Sequence, residues 1–229
     1  MKKCIISFAN GNGNYMRGLA RLSDSLRYNF DGDFLAFVGE ESLGAAKHSE
    51  NPYAFKVLAF KKAFNAGYKQ VLWLDSSCFA VAPLQPIFDE KAENKFIFQD
   101  SGHLLGTWTN DKALSYFNIS RDEAMDIHMI GNAGFLGLSF DHFDGGEFLA
   151  HWENALDAGM FKGAWTNTEN SESFDERCLG HRHDMSCSSA ILYKMGVLPQ
   201  MKSGEEWLQY AGPYDKILNE TILIKAQGL

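Results

Sequence analysis

The sequence predicts an α/β protein whose central sheet is mostly parallel and flanked by helices. Apolar segments at residues 3–8, 34–38 and 71–74 are typical of strands, and segments 15–28 and 52–66 carry apolar residues at helical spacing. This β-α-β-α-β order favours parallel strands joined by right-handed crossovers. Segment 71–74, Val-Leu-Trp-Leu, is apolar without alternation, as expected for a strand covered on both faces.

Helix boundaries in this first half follow from local residue preferences. Asn51 is a suitable cap for the second helix, and Pro52 suits its first turn. Gly67 ends that helix, because glycine readily adopts the left-handed conformation that follows a helix. A Gly-rich loop at residues 9–14 separates the first strand from the first helix.

The remaining elements follow less regularly. Ser120 and Glu123 have the spacing of a capping box at the start of a short helix over residues 121–127. Residues 163–180 are polar and predict a long surface loop, suited to a lid or to acceptor binding. We expect further strands at residues 96–98, 135–138 and 221–225, and further helices at residues 110–117, 145–160 and 184–195.

Composition excludes several functional classes. The chain has 229 residues, of which 45% are hydrophobic, so we expect one domain over residues 1–229. A net charge of −8 without a basic block argues against nucleic-acid binding. The four cysteines form no CxxC pair, so a zinc knuckle is not indicated. Since neither a signal peptide nor a transmembrane segment of about 20 apolar residues occurs, we expect a cytoplasmic protein.

Asp75 is the first candidate for a functional side chain, because it directly follows the buried strand. In open α/β sheets, ligands bind at the carboxyl ends of strands. Asp75 is therefore suited to hold a ribose hydroxyl or a cation, although a turn carboxylate is the structural alternative. Ser76 and Ser77 follow it. Lys56 on the preceding helix is either a partner for phosphate or a solvated helix lysine.

Two further segments contain residues suited to sugar or nucleotide binding. The loop Ala-Asn-Gly-Asn-Gly-Asn at residues 9–14 permits close approach of a ligand to the backbone, but it lacks the GxGxxG pattern. A plain turn explains it equally well. Asn132, followed by Ala133, can both donate to and accept from a sugar hydroxyl, or it serves as a turn residue before a strand.

The segment at residues 181–184 is the fourth candidate cluster. His181, Arg182 and His183 supply groups that bind phosphate or a metal. Asp184 either caps the helix that follows or acts as a general base. Next to a strand-end aspartate in the same chain, this cluster becomes a site candidate.

Three segments, in this order, resemble GT-A glycosyltransferases that use nucleotide-diphosphate sugars. FKVLAFKKAF before VLWLDSS is similar to the helix–strand–DxD unit of glycogenin-like and galactosyltransferase-like families. NAGFLGL is similar to their N-[AS]-G-strand element, and HRHDMSCSSAIL to the D-Q element that opens a helix beneath the donor sugar. The likeness covers residues 3–195 and extends to small virus-encoded glycosyltransferase domains.

The resemblance implies one Rossmann-like GT-A domain that moves a hexose from a nucleotide-diphosphate sugar, favourably a UDP-sugar, to a glycan or small acceptor. Asp75 and Asp184 are the implied catalytic residues, with Asp184 as the base if the reaction inverts the sugar. The implied substrate- and nucleotide-binding residues are Ala9, Asn10, Gly11, Asn12, Lys56, Asp75, Ser76, Ser77, Asn132, Ala133, His181, Arg182 and His183.

One position departs from the family pattern. Ser77 stands where the second carboxylate of Asp-x-Asp binds the metal, and a hydroxyl is a weaker ligand for a hard cation. Three interpretations remain open: Mn²⁺ or Mg²⁺ binds loosely through Asp75 and phosphates, a Lys, Arg or His replaces the metal, or catalysis has been lost.

Two other functions also remain open. A sugar nucleotidyltransferase has a related fold, but the loop at residues 10–14 lacks the Arg/Lys pattern expected of one. Ser77 favours a non-catalytic binder of nucleotide sugars or carbohydrates.

Overall fold

The computed structural model describes residues 2–93, 96–131, 134–197, 207–209 and 222–226. Its strands are β1 Lys3–Ala9, β2 Asp33–Val38, β3 Gln70–Leu74, β4 Cys78–Ala80, β5 Phe96–Ile97, β6 Gln99–Leu104, β7 His128–Gly131, β8 Phe135–Ser139, β9 Leu208–Gln209 and β10 Ile224–Ala226. Its α-helices are α1 Gly13–Asn29, α2 Ala54–Asn65, α3 Gln85–Glu93, α4 Asp111–Tyr116, α5 Arg121–Ala124, α6 Phe143–Asp157 and α7 His183–Lys194.

Five strands form the central sheet in the order β2-β1-β3-β8-β5. β1 pairs in parallel with β2 and β3, whereas β8 is antiparallel to both β3 and β5. Four of these five strands therefore run in one direction, which confirms the predicted mostly parallel sheet. The smaller sheets β4-β10-β9 and β6-β7 lie outside it.

Both faces of the central sheet are buried, which explains why β3 shows no alternation. Val71 and Trp73 belong to the core on one face, which also contains side chains of α2, α6 and α7. Leu72 and Leu74 belong to the core on the other face, with side chains of α1 and α3. Full burial of each such side chain stabilises the fold by about 1.5–3 kcal/mol relative to exposure.

One predicted helix start is wrong, and at a second helix the cap alternative for Asp184 does not apply. Helix α2 begins at Ala54, and its cap is Tyr53 at φ 60°, not Asn51. The Asn51 side-chain oxygen is buried and has no hydrogen-bond partner among the described residues. At α7 the cap position belongs to Arg182, so Asp184 lies inside the first turn and its side chain is free for another partner.

One other local prediction is confirmed. The capping box of Ser120 and Glu123 is present at the start of α5. The four cysteines are all buried, and none forms a disulfide within the described residues. No helix within the described residues combines the length and apolar character needed to cross a membrane.

Candidate active site

An open cleft of about 270 Å³ lies where the first three parallel strands end. Asn10 follows β1, Glu40 follows β2, and Asp75 follows β3, so three successive strand ends contribute polar side chains to one site. The cleft is lined by Phe8, Asn10, Tyr15, Glu40, His48, Tyr53, Phe55, Trp73, Asp75, Ser76 and Ser77.

Aromatic rings form much of the cleft wall. Phe8 and Phe55 stack with centroids 4.2 Å apart, and Phe55 packs against Trp73 at 5.9 Å. Tyr53 packs on Phe55 at 5.8 Å and on His48 at 4.7 Å. Such a wall suits a flat ring or the apolar face of a sugar.

The sequence predictions did not include these rings or Glu40. Glu40 carries a signal that identifies it, because it follows a predicted strand just as Asp75 does. Tyr53 and His48 carry no such signal, since they lie between elements and reach the cleft only through tertiary packing.

Asp75 extends from the end of β3 with its side chain 43% exposed. Its Oδ1 accepts a hydrogen bond of 2.7 Å from Trp73 Nε1 and lies 4.0 Å from Lys56 Nζ. Partial burial raises the pKa of Asp75, while the Lys56 ammonium and the Trp73 hydrogen bond oppose that shift. The carboxylate is therefore held in place on one side and open on the other.

Lys56 and Asp184 form a buried ion pair directly behind Asp75. Lys56 Nζ lies 3.0 Å from Asp184 Oδ2, and each side chain is only 3% exposed. The ammonium also lies 4.9 Å from the Tyr53 ring centroid and 5.5 Å from that of Trp73. The structure thus brings together Asp75, Lys56 and Asp184 from three separate segments of the sequence.

Tyr53 lies beside both carboxylates. Burial raises the pKa of Tyr53, and the charges of Asp184 and Asp75 raise it further. A bulky residue at φ 60° is strained, and such strain persists where surrounding contacts fix the residue, often at functional sites. Tyr53 therefore forms a fixed wall between the cleft and the residues around His183.

The two histidines of the 181–184 segment face inward. His181 is 0% exposed; its Nδ1 accepts from the backbone N–H of Asn110, and its Nε2 contacts the Met160 carbonyl at 2.9 Å. Burial, reinforced by His183, lowers the pKa of His181 to about 3, so the ring is neutral. With both nitrogens used internally, the structure leaves His181 no ring atom for a ligand.

His183 lies between His181 and Tyr53, with ring centroids 5.5 Å from each. Its Nδ1 bonds the Phe161 carbonyl at 2.8 Å, and its Nε2 is buried without a partner among the described residues. Burial lowers the pKa of His183. Its backbone is also in the left-handed region, at φ 48°.

The loop after β1 approaches the cleft through Asn10. Asn12 caps α1, because its side chain accepts a hydrogen bond of 3.0 Å from Asn14 N–H. Gly11 has φ 83°, a conformation that favours glycine. Ala9 is buried at the end of β1. Among these loop residues, only Asn10 lines the cleft.

The predicted residues Asn132 and Ala133 lie outside the described part of the chain. The neighbouring Gly134 carbonyl accepts a 3.1 Å hydrogen bond from Asp75 N–H. β8 therefore begins beside the end of β3, and Leu74 pairs with Phe135.

Among the described residues, those around Asp75 do not form a binding site for a divalent cation. Within the described ranges, no three His, Cys, Asp or Glu side chains converge as a ligand set. Asp75 supplies one carboxylate, Ser77 offers only a hydroxyl, and the ammonium of Lys56 is 4.0 Å from Asp75 Oδ1. Mg²⁺ and Mn²⁺ prefer several oxygen ligands, and a neighbouring positive charge repels them.

Solved structures resemble this chain over nearly its whole length. The apo WbbM bifunctional glycosyltransferase matches 98% of this chain and 45% of its own, at 12% identity and a TM-score of 0.53. A glycosyltransferase involved in the glycosylation of the major capsid of PBCV-1 matches 99% of this chain and 92% of its own length, at 13% identity and a TM-score of 0.54. The chain has a GT-A glycosyltransferase fold.

This fold is thus represented in proteins of different length. The chain spans less than half of the WbbM protein but most of the PBCV-1 glycosyltransferase. The galactosyltransferase LgtC, in complex with donor and acceptor sugar analogs, matches 98% of this chain and 86% of its own, at 12% identity and a TM-score of 0.48. No protein-family model and no curated protein matches the sequence.

Proposed function

We propose that this chain is a glycosyltransferase that moves a hexose from a nucleotide-diphosphate sugar, most favourably a UDP-sugar, to a glycan or small acceptor. The observation that carries the proposal is the aromatic cleft at the strand ends, with Asp75 backed by the buried Lys56–Asp184 pair. The GT-A glycosyltransferase fold supports the same reaction class.

In this proposal the nucleotide half of the donor binds in the cleft. A nucleobase has a flat face that packs on aromatic rings such as Phe55 and Tyr53, which line the cleft. Ribose hydroxyls donate hydrogen bonds, and the carboxylate of Glu40 accepts them. In this arrangement the diphosphate and hexose extend past Asp75 toward Tyr53.

Transfer breaks the bond between the sugar C1 and the diphosphate oxygen, and the electron pair leaves with the diphosphate. A new bond forms between C1 and the acceptor oxygen, whose proton passes to a base. In an inverting reaction Asp75 is the accessible carboxylate, and its raised pKa makes it a stronger base. Asp184 is buried against Lys56, so its placement favours positioning over direct proton transfer.

The Lys56 ammonium lies behind Asp75, and its attraction holds the Asp75 carboxylate in a fixed position. A charged group that is already in position needs no reorganisation during the reaction. Lys56 acts here through Asp75, because its own side chain is almost fully buried. The proposed reaction includes no metal-bound step.

A non-catalytic binder of nucleotide sugars is the second candidate. The buried Lys56–Asp184 ion pair favours a non-catalytic binder, because the two charges already neutralise each other inside the protein. Such a protein binds the donor in the same cleft and releases it unchanged.

The test is nucleotide-diphosphate release from a panel of UDP-, GDP- and ADP-sugars by the full chain, with EDTA and with Mn²⁺. Asp75→Asn keeps the shape of the side chain and removes its charge. We expect it to lower release about 100-fold, within the range for losing one electrostatic contact to a transition state. Release in EDTA should equal release in Mn²⁺.

Asp31→Asn is the matched control. Asp31 is exposed just before β2, at the end of the sheet opposite the cleft, so its variant should match the wild type. Equal release by the wild type and Asp75→Asn contradicts the assignment of Asp75. Tight donor binding without release, across the panel, favours the non-catalytic binder.

A further inference from the structure

Arg182 contacts two tryptophan rings outside the set of residues that line the cleft. Its guanidinium carbon lies 3.6 Å from the Trp108 ring centroid and 4.3 Å from that of Trp165. Its backbone N–H donates to the Trp108 carbonyl, and Nη1 donates to the Trp165 carbonyl at 3.2 Å. We call Trp108, Arg182 and Trp165 the arginine clamp. The stacked geometry fixes the side chain before any ligand arrives.

The clamp leaves most of the guanidinium edge available. Arginine has five N–H donors, and within the described residues Arg182 uses only one of them, on a carbonyl. None of the ion pairs among those residues includes Arg182, although the chain carries a net charge of −8. A fixed, half-buried guanidinium without a carboxylate partner is suited to bidentate binding of an external oxyanion.

The clamp is open to solvent and adjoins the candidate active site. Trp165 is 49% exposed, and its ring lies 5.2 Å from His183 and 6.4 Å from Tyr53. Arg182 itself is two residues from Asp184. Neither Arg182 nor the two tryptophans line the nucleotide-sized cleft, whereas Tyr53 both lines it and contacts Trp165.

Backbone hydrogen bonds and one close backbone contact fix the segments that carry the clamp. The N–H of Leu179 donates to Thr107, and the N–H of His181 donates to Ala164, each at 2.8 Å. Gly180 passes so close to the Trp165 carbonyl that an added Cβ would lie 2.1 Å from its oxygen. The segments carrying both tryptophans are thereby tied to the backbone on either side of Arg182.

We propose that the arginine clamp binds the acceptor, and that this acceptor is a saccharide carrying a carboxylate or phosphate group. This proposal rests on the proposed glycosyl transfer and adds to it the chemical class of the acceptor. The guanidinium edge binds the oxyanion, and the exposed Trp165 ring packs on the sugar. An acceptor bound there lies next to Tyr53, the side of the cleft toward which the donor hexose extends.

The experiment measures affinities of the full chain by titration calorimetry, with and without UDP. The probes are matched methyl glycosides: glucuronide against glucoside, galacturonide against galactoside, mannuronide against mannoside, and the 6-phosphates of the neutral sugars. We expect at least one acidic glycoside to bind about 10- to 100-fold more tightly than its neutral counterpart, because charge-assisted hydrogen bonds contribute free energies that correspond to this ratio. Arg182→Gln should abolish that preference and leave UDP affinity unchanged.

Arg177→Gln is the control for surface charge in the same loop. Arg177 already pairs with Asp122 and Asp175, so its variant should keep the acidic preference. Arg182→Lys retains the charge but not the planar fork, and it should lose most of the preference while keeping the wild-type unfolding temperature. This variant decides the question if Arg182→Gln does not fold.

Two results overturn the proposal. If Arg182→Gln weakens UDP binding as much as acidic saccharide binding, the clamp holds the donor diphosphate instead. If no acidic glycoside or phosphate binds better than its neutral counterpart, Arg182 only holds the two loops together. A third result separates this proposal from the proposed function: an Arg182-dependent acidic preference without donor turnover supports the clamp and contradicts the transferase.

Discussion

Two cations lie in the candidate site, and the protein treats them in opposite ways. Lys56 is buried and lies within 4.0 Å of two carboxylates, those of Asp184 and Asp75. Arg182 is half-buried, has tryptophan rings on both faces, and has no carboxylate partner among the described residues. The charge of Lys56 is therefore balanced inside the protein, while that of Arg182 is available to a ligand.

This difference distinguishes a structural role for Lys56 from a ligand-binding role for Arg182. A buried charge requires an internal partner, because desolvation otherwise costs several kcal/mol. A fixed charge at a half-exposed position loses less solvation and keeps free donors. We therefore expect substitutions of Lys56 to affect stability first, and substitutions of Arg182 to affect ligand binding first.

The largest expected effect is that of Lys56→Met on stability. Removing the ammonium leaves the buried Asp184 carboxylate without compensation, which costs about 3–5 kcal/mol for a broken buried pair. Urea unfolding of wild type and variant measures this change. The double variant Lys56→Met/Asp184→Leu should recover most of the loss, since apolar replacements of both partners are often neutral.

Lys61→Met on the same helix is the matched control. Lys61 is 43% exposed and pairs with Glu153 near the surface, so its loss should cost about 0–1 kcal/mol. Equal costs for Lys56→Met and Lys61→Met would contradict the distinction between an internally balanced and a solvent-exposed cation.

Sequence patterns predict the Lys56 region better than the Arg182 region. The strand-end rule identifies Asp75 and, applied again, Glu40, while helix spacing places Lys56 before the same strand. No local pattern predicts the arginine clamp. Its tryptophans come from a short turn and from the 163–180 loop, and they meet Arg182 through packing and backbone hydrogen bonds.

The departures from local cap preference at two helix starts have the same origin. Asn51 and Pro52 favour a cap by local preference, yet Tyr53 takes the position because its ring packs on Phe55 and His183. Asp184 is a good cap residue, but its carboxylate pairs with Lys56, 128 positions earlier in the chain. Tertiary contacts override local preference at both places, and both border the candidate site.

Gly180→Ala should have the next largest effect and should act on the clamp. The new Cβ would lie 2.1 Å from the Trp165 carbonyl oxygen, so the loop must shift, at a cost of about 1–3 kcal/mol. Tryptophan emission and acidic-saccharide affinity should change together, while UDP affinity stays constant. Gly146→Ala on α6 is the control, because nothing lies within 4 Å of its added Cβ.

Acidification should weaken the region next to the clamp through His181. Its pKa is about 3 in the folded protein against an ordinary value of 6.5, so between these pH values the unfolded chain binds more protons. Stability conferred by the neutral ring is thus present above pH 6.5 and falls as the pH decreases toward 3. Titration of this group alone changes the free energy of unfolding by at most about 1.4 kcal/mol per pH unit.

Urea unfolding between pH 4 and pH 8 measures that slope. His181→Gln keeps a donor for the Met160 carbonyl without the titrating ring, so its profile should be flatter than that of the wild type. His151→Gln, at an exposed position on α6, should keep the wild-type profile. A wild-type slope that persists in His181→Gln would assign the acid sensitivity to another group, such as His183.

The smallest expected effect is that of Ser120→Ala, which loosens the support of Trp108 from outside the site. Ser120 caps α5, and the next residue, Arg121, donates hydrogen bonds to the carbonyls of Gly106 and Thr109 on either side of Trp108. Loss of the cap should cost about 1 kcal/mol. If Arg182 depends on Trp108 for its fixed geometry, the affinity for acidic saccharides should fall slightly in Ser120→Ala. The loss of stability caused by Lys56→Met should be the same in the Ser120→Ala background as in the wild type. A different loss would mean that the buried Lys56–Asp184 pair and the arginine clamp are energetically coupled.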